Sequence, residues 1–264
     1  MPADALSPTR RGHGERVVLV HGFTQTGHSW DAVADRLAQR FEVVTVDAPG
    51  HGGSGDVQAA LPDGAALLGA TGGPATYVGY SMGGRLCLHL AAARPDLVRR
   101  LVLVSATAGI EDAAERAARR VADDELASSI ERDGVDAFLD RWLALPLFAS
   151  LPPDAAGADD RRRNTAPGLA SSLRLAGTGT QEPLWDQLGA LDMPVLVVAG
   201  TLDAKYVAIA ERLAGSIRAA TLEVIAGAGH SVHLEQPDTF LDRLERWLAA
   251  EGQADRGQDA VGDL

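Results

Sequence analysis

Gly79-Tyr80-Ser81-Met82-Gly83 is a G-x-S-x-G pentapeptide set between the apolar run 76–80 and the helix-patterned stretch 82–94, which Pro95 stops. A serine so placed sits on a sharp strand-to-helix turn whose backbone needs small neighbours. The amide end of the helix behind it favours developing negative charge. The pentapeptide alone is common, but at a strand-to-helix junction it marks Ser81 as a candidate nucleophile. A hydroxyl in that role needs a base, and the base needs an orienting acid. The run 195–200 leads into Thr201-Leu202-Asp203, and the run 221–225 leads into Ala226-Gly227-Ala228-Gly229-His230. A carboxylate and an imidazole therefore fall at the C-terminal ends of strands, the edge where open α/β sheets bind ligands.

Outward from these residues, short apolar runs at 16–20, 43–47, 76–80, 101–105, 195–200 and 221–225 alternate with helix candidates at 30–39, 82–94, 204–214 and 237–250. That rhythm predicts a parallel sheet with crossover helices, and strands apolar throughout predict helices on both faces. The chain order Ser81, Asp203, His230 resembles that of the α/β-hydrolase fold. The expected fold is thus a mostly parallel sheet flanked by helices. The rhythm breaks at 108–180, where 111–132, 135–145 and 169–175 read as helices of a lid inserted between strands. The core is then 1–107 with 181–250, and 251–264 reads as a disordered acidic tail. The stretch before Arg16 is too short for two leading strands, and Pro62, Gly64 and Gly69 predict a truncated helix within 56–73.

The loop His21-Gly22-Phe23 follows the first apolar run, so the backbone amides of Phe23 and Met82 are the expected oxyanion-hole donors. His21 reads as a residue that orders this loop. His51, in Asp47-Ala-Pro-Gly-His51-Gly-Gly-Ser54, reads as turn chemistry. His233 competes with His230 for the base but reads as a lid or surface histidine. Asp192 precedes a strand and so lies at the wrong edge. Glu111 and Asp112 follow the strand ending at 105, where some members of this fold carry the acid, and they stay open as alternatives to Asp203.

Composition narrows the partners. Thirty-six acidic and 24 basic residues leave a net charge of −12, a field that repels phosphate backbones and anionic lipid surfaces. Nucleic acid and membrane are therefore excluded. An anionic small molecule is not, because a few arginines at ~3 Å outweigh a field screened over ~8–10 Å. The lone Cys87 forms no internal disulfide, and no stretch is apolar enough to span a bilayer. With no secretory leader pattern, the expectation is a cytoplasmic protein. No nucleotide-loop or H-E-x-x-H motif is present, so neither cofactor nor metal is expected. Only Lys205 of the basic residues is lysine, which reads as codon-composition bias. The sequence sets no oligomeric state.

A narrower resemblance runs along nearly the whole chain. The strings Gly50-His-Gly-Gly-Ser54, Gly79-Tyr-Ser-Met-Gly-Gly-Arg85, Gly109-Ile110 with Arg116, Arg119 and Arg120, Pro146-Leu-Phe-Ala-Ser-Leu151, Arg163-Asn164 and Gly200-Thr-Leu-Asp-Ala-Lys205-Tyr206 resemble the 2-succinyl-6-hydroxy-2,4-cyclohexadiene-1-carboxylate synthases of menaquinone biosynthesis. The resemblance implies a lyase in which Ser81, activated by His230 and Asp203, removes a proton from a succinyl-bearing cyclohexene and pyruvate leaves. It implies that Arg119 and Arg163 bind substrate carboxylates and that Tyr80 and Trp142 wall the pocket. Arg85, one helical turn beyond Ser81, can join them. Arg120, Arg161 and Arg162 read as solvated helix faces. A serine carboxylesterase of small acyl substrates and a ligand-binding receptor on the same fold are the other readings, and convergent guanidinium groups argue against an esterase for neutral esters.

Overall fold

The apolar runs become the strands of a single sheet in a computed structural model that describes residues 6–259. The strands are β1 (Ser7–Arg11), β2 (Arg16–Val20), β3 (Glu42–Asp47), β4 (Ala75–Tyr80), β5 (Val98–Val104), β6 (Val195–Gly200) and β7 (Ala220–Ile225). Their spatial order is β1-β3-β2-β4-β5-β6-β7. Every neighbouring pair is parallel except β1 with β3. Among the described residues β1 is the single strand ahead of β2, in accord with the short leading stretch.

Period-two alternation divides the core between the two faces. Val18, Val20, Val44, Val46, Tyr77, Leu101, Leu103, Val195 and Val197 face one way and pack with α2 (Leu61–Gly72), α3 (Met82–Ala93) and α8 (Ala204–Ser216). Val17, Leu19, Val43, Val78, Tyr80, Val102, Val104, Leu196 and Val198 face the other way, against α1 (Asp31–Leu37), the short α9 (Val232–Glu235) and α10 (Pro237–Asp259). The central strand β4 is buried along its whole length, which is what fixes the position of Ser81 at its end.

Two expectations need correction. The helix α2 is a full 12 residues, not truncated. Pro62 falls in its first turn, where the missing N–H has no intrahelical acceptor to lose. Gly64 and Gly69 lie against Leu86 and Leu90 of α3, so they serve close helix packing instead of ending the helix. The helix α10 runs on to Asp259, through most of the stretch expected as a disordered tail. The apolar face of Phe240, Leu241, Leu244, Trp247 and Leu248 carries the helix up to that stretch, and Glu251, Gln253, Ala254 and Arg256 favour its continuation against Gly252 and Gly257. Residues 260–264 of that tail lie outside the described residues.

Between β5 and β6 lie α4 (Ala113–Asp133), α5 (Val135–Leu143), the single turn α6 (Ala158–Arg161) and α7 (Ala166–Ala176). Ala127, Ile130, Phe138, Leu139, Leu169, Ala170 and Leu173 give this insertion its own apolar cluster, and Phe23 of the sheet domain packs against it. The Leu184 N–H donates to Ala108 O at 2.8 Å and ties the base of the insertion together. Among the described residues, no helix is long and apolar enough to cross a membrane.

Candidate active site

Ser81 stands at the turn between β4 and α3 with φ 51° and ψ −109°, a strained conformation for a residue with a side chain. Its N–H donates to Val104 O at 2.8 Å, which holds the turn against β5. The flanking glycines are required by close backbone approach. A Cβ on Gly83 would overlap the carbonyl oxygens of Val20 and His21, and one on Gly79 would overlap the carbonyl of Gly83. Gly83→Ala is therefore expected to destabilise the fold by about 3 kcal/mol, the upper end of overpacking costs, because neither obstacle is a side chain that can swing away. The midpoint of urea unfolding measures this, and an unchanged midpoint would contradict it.

The three predicted residues meet. His230 Nδ1 lies 2.8 Å from Asp203 Oδ2, and its Nε2 lies 3.1 Å from Ser81 Oγ. With Nδ1–H donated to the carboxylate, Nε2 is left to accept the serine proton. Asp203 is fixed in turn: it caps α8, and its Oδ1 accepts the Tyr206 N–H at 3.2 Å. Tyr206 meets the His230 ring edge-on at 4.4 Å and limits its rotation. Tyr80 also approaches that ring, 5.4 Å between centroids, with its hydroxyl 2.9 Å from Ser231 Oγ. The loop carrying His230 is clamped by Glu235, whose carboxylate accepts the N–H groups of Gly229 at 2.6 Å and Ser231 at 2.8 Å. Glu235 was not among the residues singled out in the sequence; it stands four residues after Ser231, one beyond the three-residue spacing of a capping box, so no local pattern announces it.

The loop after β2 is built by two buried histidines. His21 Nδ1–H donates to Gly22 O at 2.8 Å while Nε2 accepts the Ala48 N–H at 3.0 Å. His51 donates to Pro49 O at 3.0 Å and accepts the Thr24 N–H at 3.2 Å. Burial lowers both pKa values, that of His51 to about 3, so both rings are neutral; His21 orders the loop as expected, and His51, expected only as part of its own turn, also reaches across to Thr24. Phe23 and Met82, the expected oxyanion-hole residues, line one cavity with Ser81, and Met82 opens α3, where an N–H has no intrahelical acceptor.

That cavity, of about 300 Å³, is walled by Tyr80, Trp142, Phe148 and Tyr206 and carries four cations: Arg85, Arg119, Arg161 and Lys205. Arg85 is buried and donates to Ala176 O at 2.8 Å; burial lowers its pKa to about 10, so it remains charged at neutral pH. Arg161 is only 1% exposed. Its Nε donates to Ala156 O at 2.7 Å and its Nη1 to Thr24 Oγ1. Among the described residues neither of these buried guanidinium groups pairs with a carboxylate. Arg119 is half-exposed and bonds Asp123 at 2.7 Å. Trp142 Nε1 is buried with no partner among the described residues.

The structure corrects three readings. Arg163 is exposed and does not line the cavity; Arg161, assigned to a solvated face, does. The single turn α6 sends Arg161 and, three residues on, Asn164 inward, and Asn164 Nδ2 donates to Thr24 O at 2.6 Å. Arg162 points outward to Asp136 and Asp159, and Arg120 is exposed on α4, as expected of both. His233 is neither a lid nor a surface residue. It is buried, stacked on Trp30 at 4.1 Å and beside Tyr80, with its pKa lowered by burial to about 3. As for the alternative acids, Glu111 is exposed and paired with Arg212, Asp112 caps α4, and Asp192 is exposed. None of them faces His230. Tyr206, Lys205 and Phe148 complete the cavity without having been singled out as site residues in the sequence.

Sheet order, strained elbow and Ser–His–Asp geometry together define an α/β hydrolase, and the family model described as the alpha/beta hydrolase family matches residues 17–243. A 2-succinyl-6-hydroxy-2,4-cyclohexadiene-1-carboxylate synthase of Klebsiella pneumoniae is 32% identical over 246 residues, covering 89% of this chain and 94% of the relative. A candidate synthase of the same name from Bacillus subtilis is 35% identical over 250 residues, covering 89% and 91%. Among solved structures, MenH from S. aureus superposes with a TM-score of 0.86 at 29% identity, covering 93% of this chain and 98% of that one. The chain belongs, within the α/β hydrolases, to the family of 2-succinyl-6-hydroxy-2,4-cyclohexadiene-1-carboxylate synthases.

Proposed function

We propose that the chain is a carbon–oxygen lyase that eliminates pyruvate from an enolpyruvyl-succinyl-cyclohexene-carboxylate to give 2-succinyl-6-hydroxy-2,4-cyclohexadiene-1-carboxylate in menaquinone biosynthesis. The observation that carries this reading beyond the family's shared triad is the pair of buried guanidinium groups, Arg85 and Arg161, facing the cavity of Ser81 without a carboxylate partner. A desolvated cation is costly unless an anion meets it, and the substrate brings three carboxylates. His230 Nε2 takes the Ser81 proton, and Ser81 Oγ takes the proton from the ring C–H. The electron pair left behind forms the new double bond and expels the enolpyruvyl oxygen. The departing enolpyruvate takes up one proton at carbon and becomes pyruvate. Negative charge developing on the substrate is met by the amides of Phe23 and Met82. The proton lost by the ring is matched by the one gained by pyruvate, and as the C–H pair becomes the double bond the C–O pair leaves with oxygen, so there is no net oxidation and the step needs no redox cofactor.

We assign the reaction to the cytoplasm. The net charge of −12 leaves nucleic acid and anionic membrane surfaces out of the set of partners. A serine esterase would use the same triad, but for a neutral ester the buried cations would be a cost without return. Supplying the enolpyruvyl precursor, made enzymatically from chorismate, is expected to release pyruvate faster than the protein cleaves a p-nitrophenyl ester. Rapid ester cleavage with no pyruvate overturns the lyase reading.

A further inference from the structure

Lys205 is the one lysine among 24 basic residues, and it lines the cavity of Ser81 and His230. Whatever bias put arginine at every other basic position gives no reason for lysine here. Helix stability gives none either: Lys205 lies in the first turn of α8, where a cation opposes the helix dipole. Shape distinguishes the two side chains. A guanidinium is a planar fork that grips one carboxylate at two points, whereas an ammonium is a compact, strongly hydrated charge on a flexible stem.

The cavity cations divide along that line. Arg85 and Arg161 are buried and anchored to backbone carbonyls, and Arg119 is tied to Asp123. Lys205 is exposed, and among the described residues its ammonium has no hydrogen-bond or ion-pair partner. It sits two residues beyond Asp203 and next to Tyr206, hence on the side of the cavity that carries the base.

We propose that Lys205 is the subsite for the carboxylate of the leaving enolpyruvyl arm, holding that arm during elimination and letting it go as pyruvate. This rests on the lyase reading above. The ring and its succinyl arm stay together after the bond breaks, so fixed, buried arginines suit their carboxylates. The third carboxylate must exchange with solvent by itself, and a solvated ion pair at the mouth is weak and exchanges readily.

Pyruvate and succinate, each tested as an inhibitor of the wild type, Lys205→Gln and Lys205→Arg, separate this subsite from the others. Removing one solvated ion pair is expected to raise the inhibition constant for pyruvate about two- to fivefold in Lys205→Gln, with kcat/KM for the precursor falling by a similar factor. Succinate inhibition should not move. Lys205→Arg, with a firmer grip, should be inhibited by pyruvate at least as strongly as the wild type. The proposal fails if pyruvate does not inhibit the wild type, if it inhibits Lys205→Gln equally well, or if Lys205→Arg behaves like Lys205→Gln. A wild type that releases no pyruvate from the precursor instead removes the lyase reading, an outcome distinct from these.

Discussion

Ser81→Ala is expected to lower kcat for pyruvate release by at least about a thousandfold, ~4 kcal/mol of transition-state stabilisation, with KM changed only slightly. The Oγ that is lost lies 3.1 Å from His230 Nε2, and its role in the proposed reaction is confined to the transfer of one proton. In the proposed complex substrate binding rests on other groups, the arginines and the aromatic wall, so the loss should appear in kcat. His230→Ala should cost about as much, and the double variant little more, because residues that act as one unit are not additive. Pyruvate formation coupled to lactate dehydrogenase gives the rate directly. A Ser81→Ala enzyme that keeps more than about a tenth of the wild-type kcat would remove the serine from the proton path and make His230 the base that touches carbon. The Tm of the variant should stay close to that of the wild type, since among the described residues Ser81 Oγ bonds only to His230.

The triad was legible because each member is announced by local grammar. An apolar run ends, a turn follows, and one chemically apt residue stands there, as at Ser81, Asp203 and His230. What the sequence hid depends on phase or on partners far along the chain. Two residues along a helical turn rotate a side chain by ~200°, so Arg161 and Arg163 look equivalent in sequence and face opposite ways in space. The strand β1, Ser7–Arg11, has no apolar alternation to reveal it. It is an edge strand whose arginines pair outward, Arg10 with Glu42 at 3.1 Å and Arg11 with Asp31 and Asp35. His233 is polar by type and buried by circumstance, enclosed by Trp30, Tyr80 and Phe240 from three separate elements. The glycines of α2 read as breakers until α3 is placed beside them.

Arg161→Ala carries the second large effect, and Arg163→Ala is its control. Removing Arg161 from the proposed complex leaves a substrate carboxylate desolvated and unpaired, which costs about 2–5 kcal/mol, or roughly 30- to 5,000-fold in kcat/KM. Part of that loss has a second origin. The Arg161 guanidinium also bonds Thr24 Oγ1, and Thr24 holds a positive φ of 70° beside Phe23, whose amide is the proposed oxyanion donor. Losing both the carboxylate contact and that support should raise KM and lower kcat together. Arg161→Lys separates the two contributions: it keeps the charge but cannot reach Ala156 O, Thr24 and a carboxylate with one fork. Its KM should therefore recover further than its kcat. Arg163, exposed and outside the cavity, should change kcat/KM by less than about twofold when replaced by Ala, in keeping with the small effects of surface substitutions. The reverse pattern, a damaged Arg163→Ala beside an active Arg161→Ala, would return the carboxylate to Arg163 and require α6 to turn over when substrate binds. Steady-state kinetics on the three variants decides between these arrangements, because only the residue that faces Ser81 in the working enzyme can move KM and kcat together.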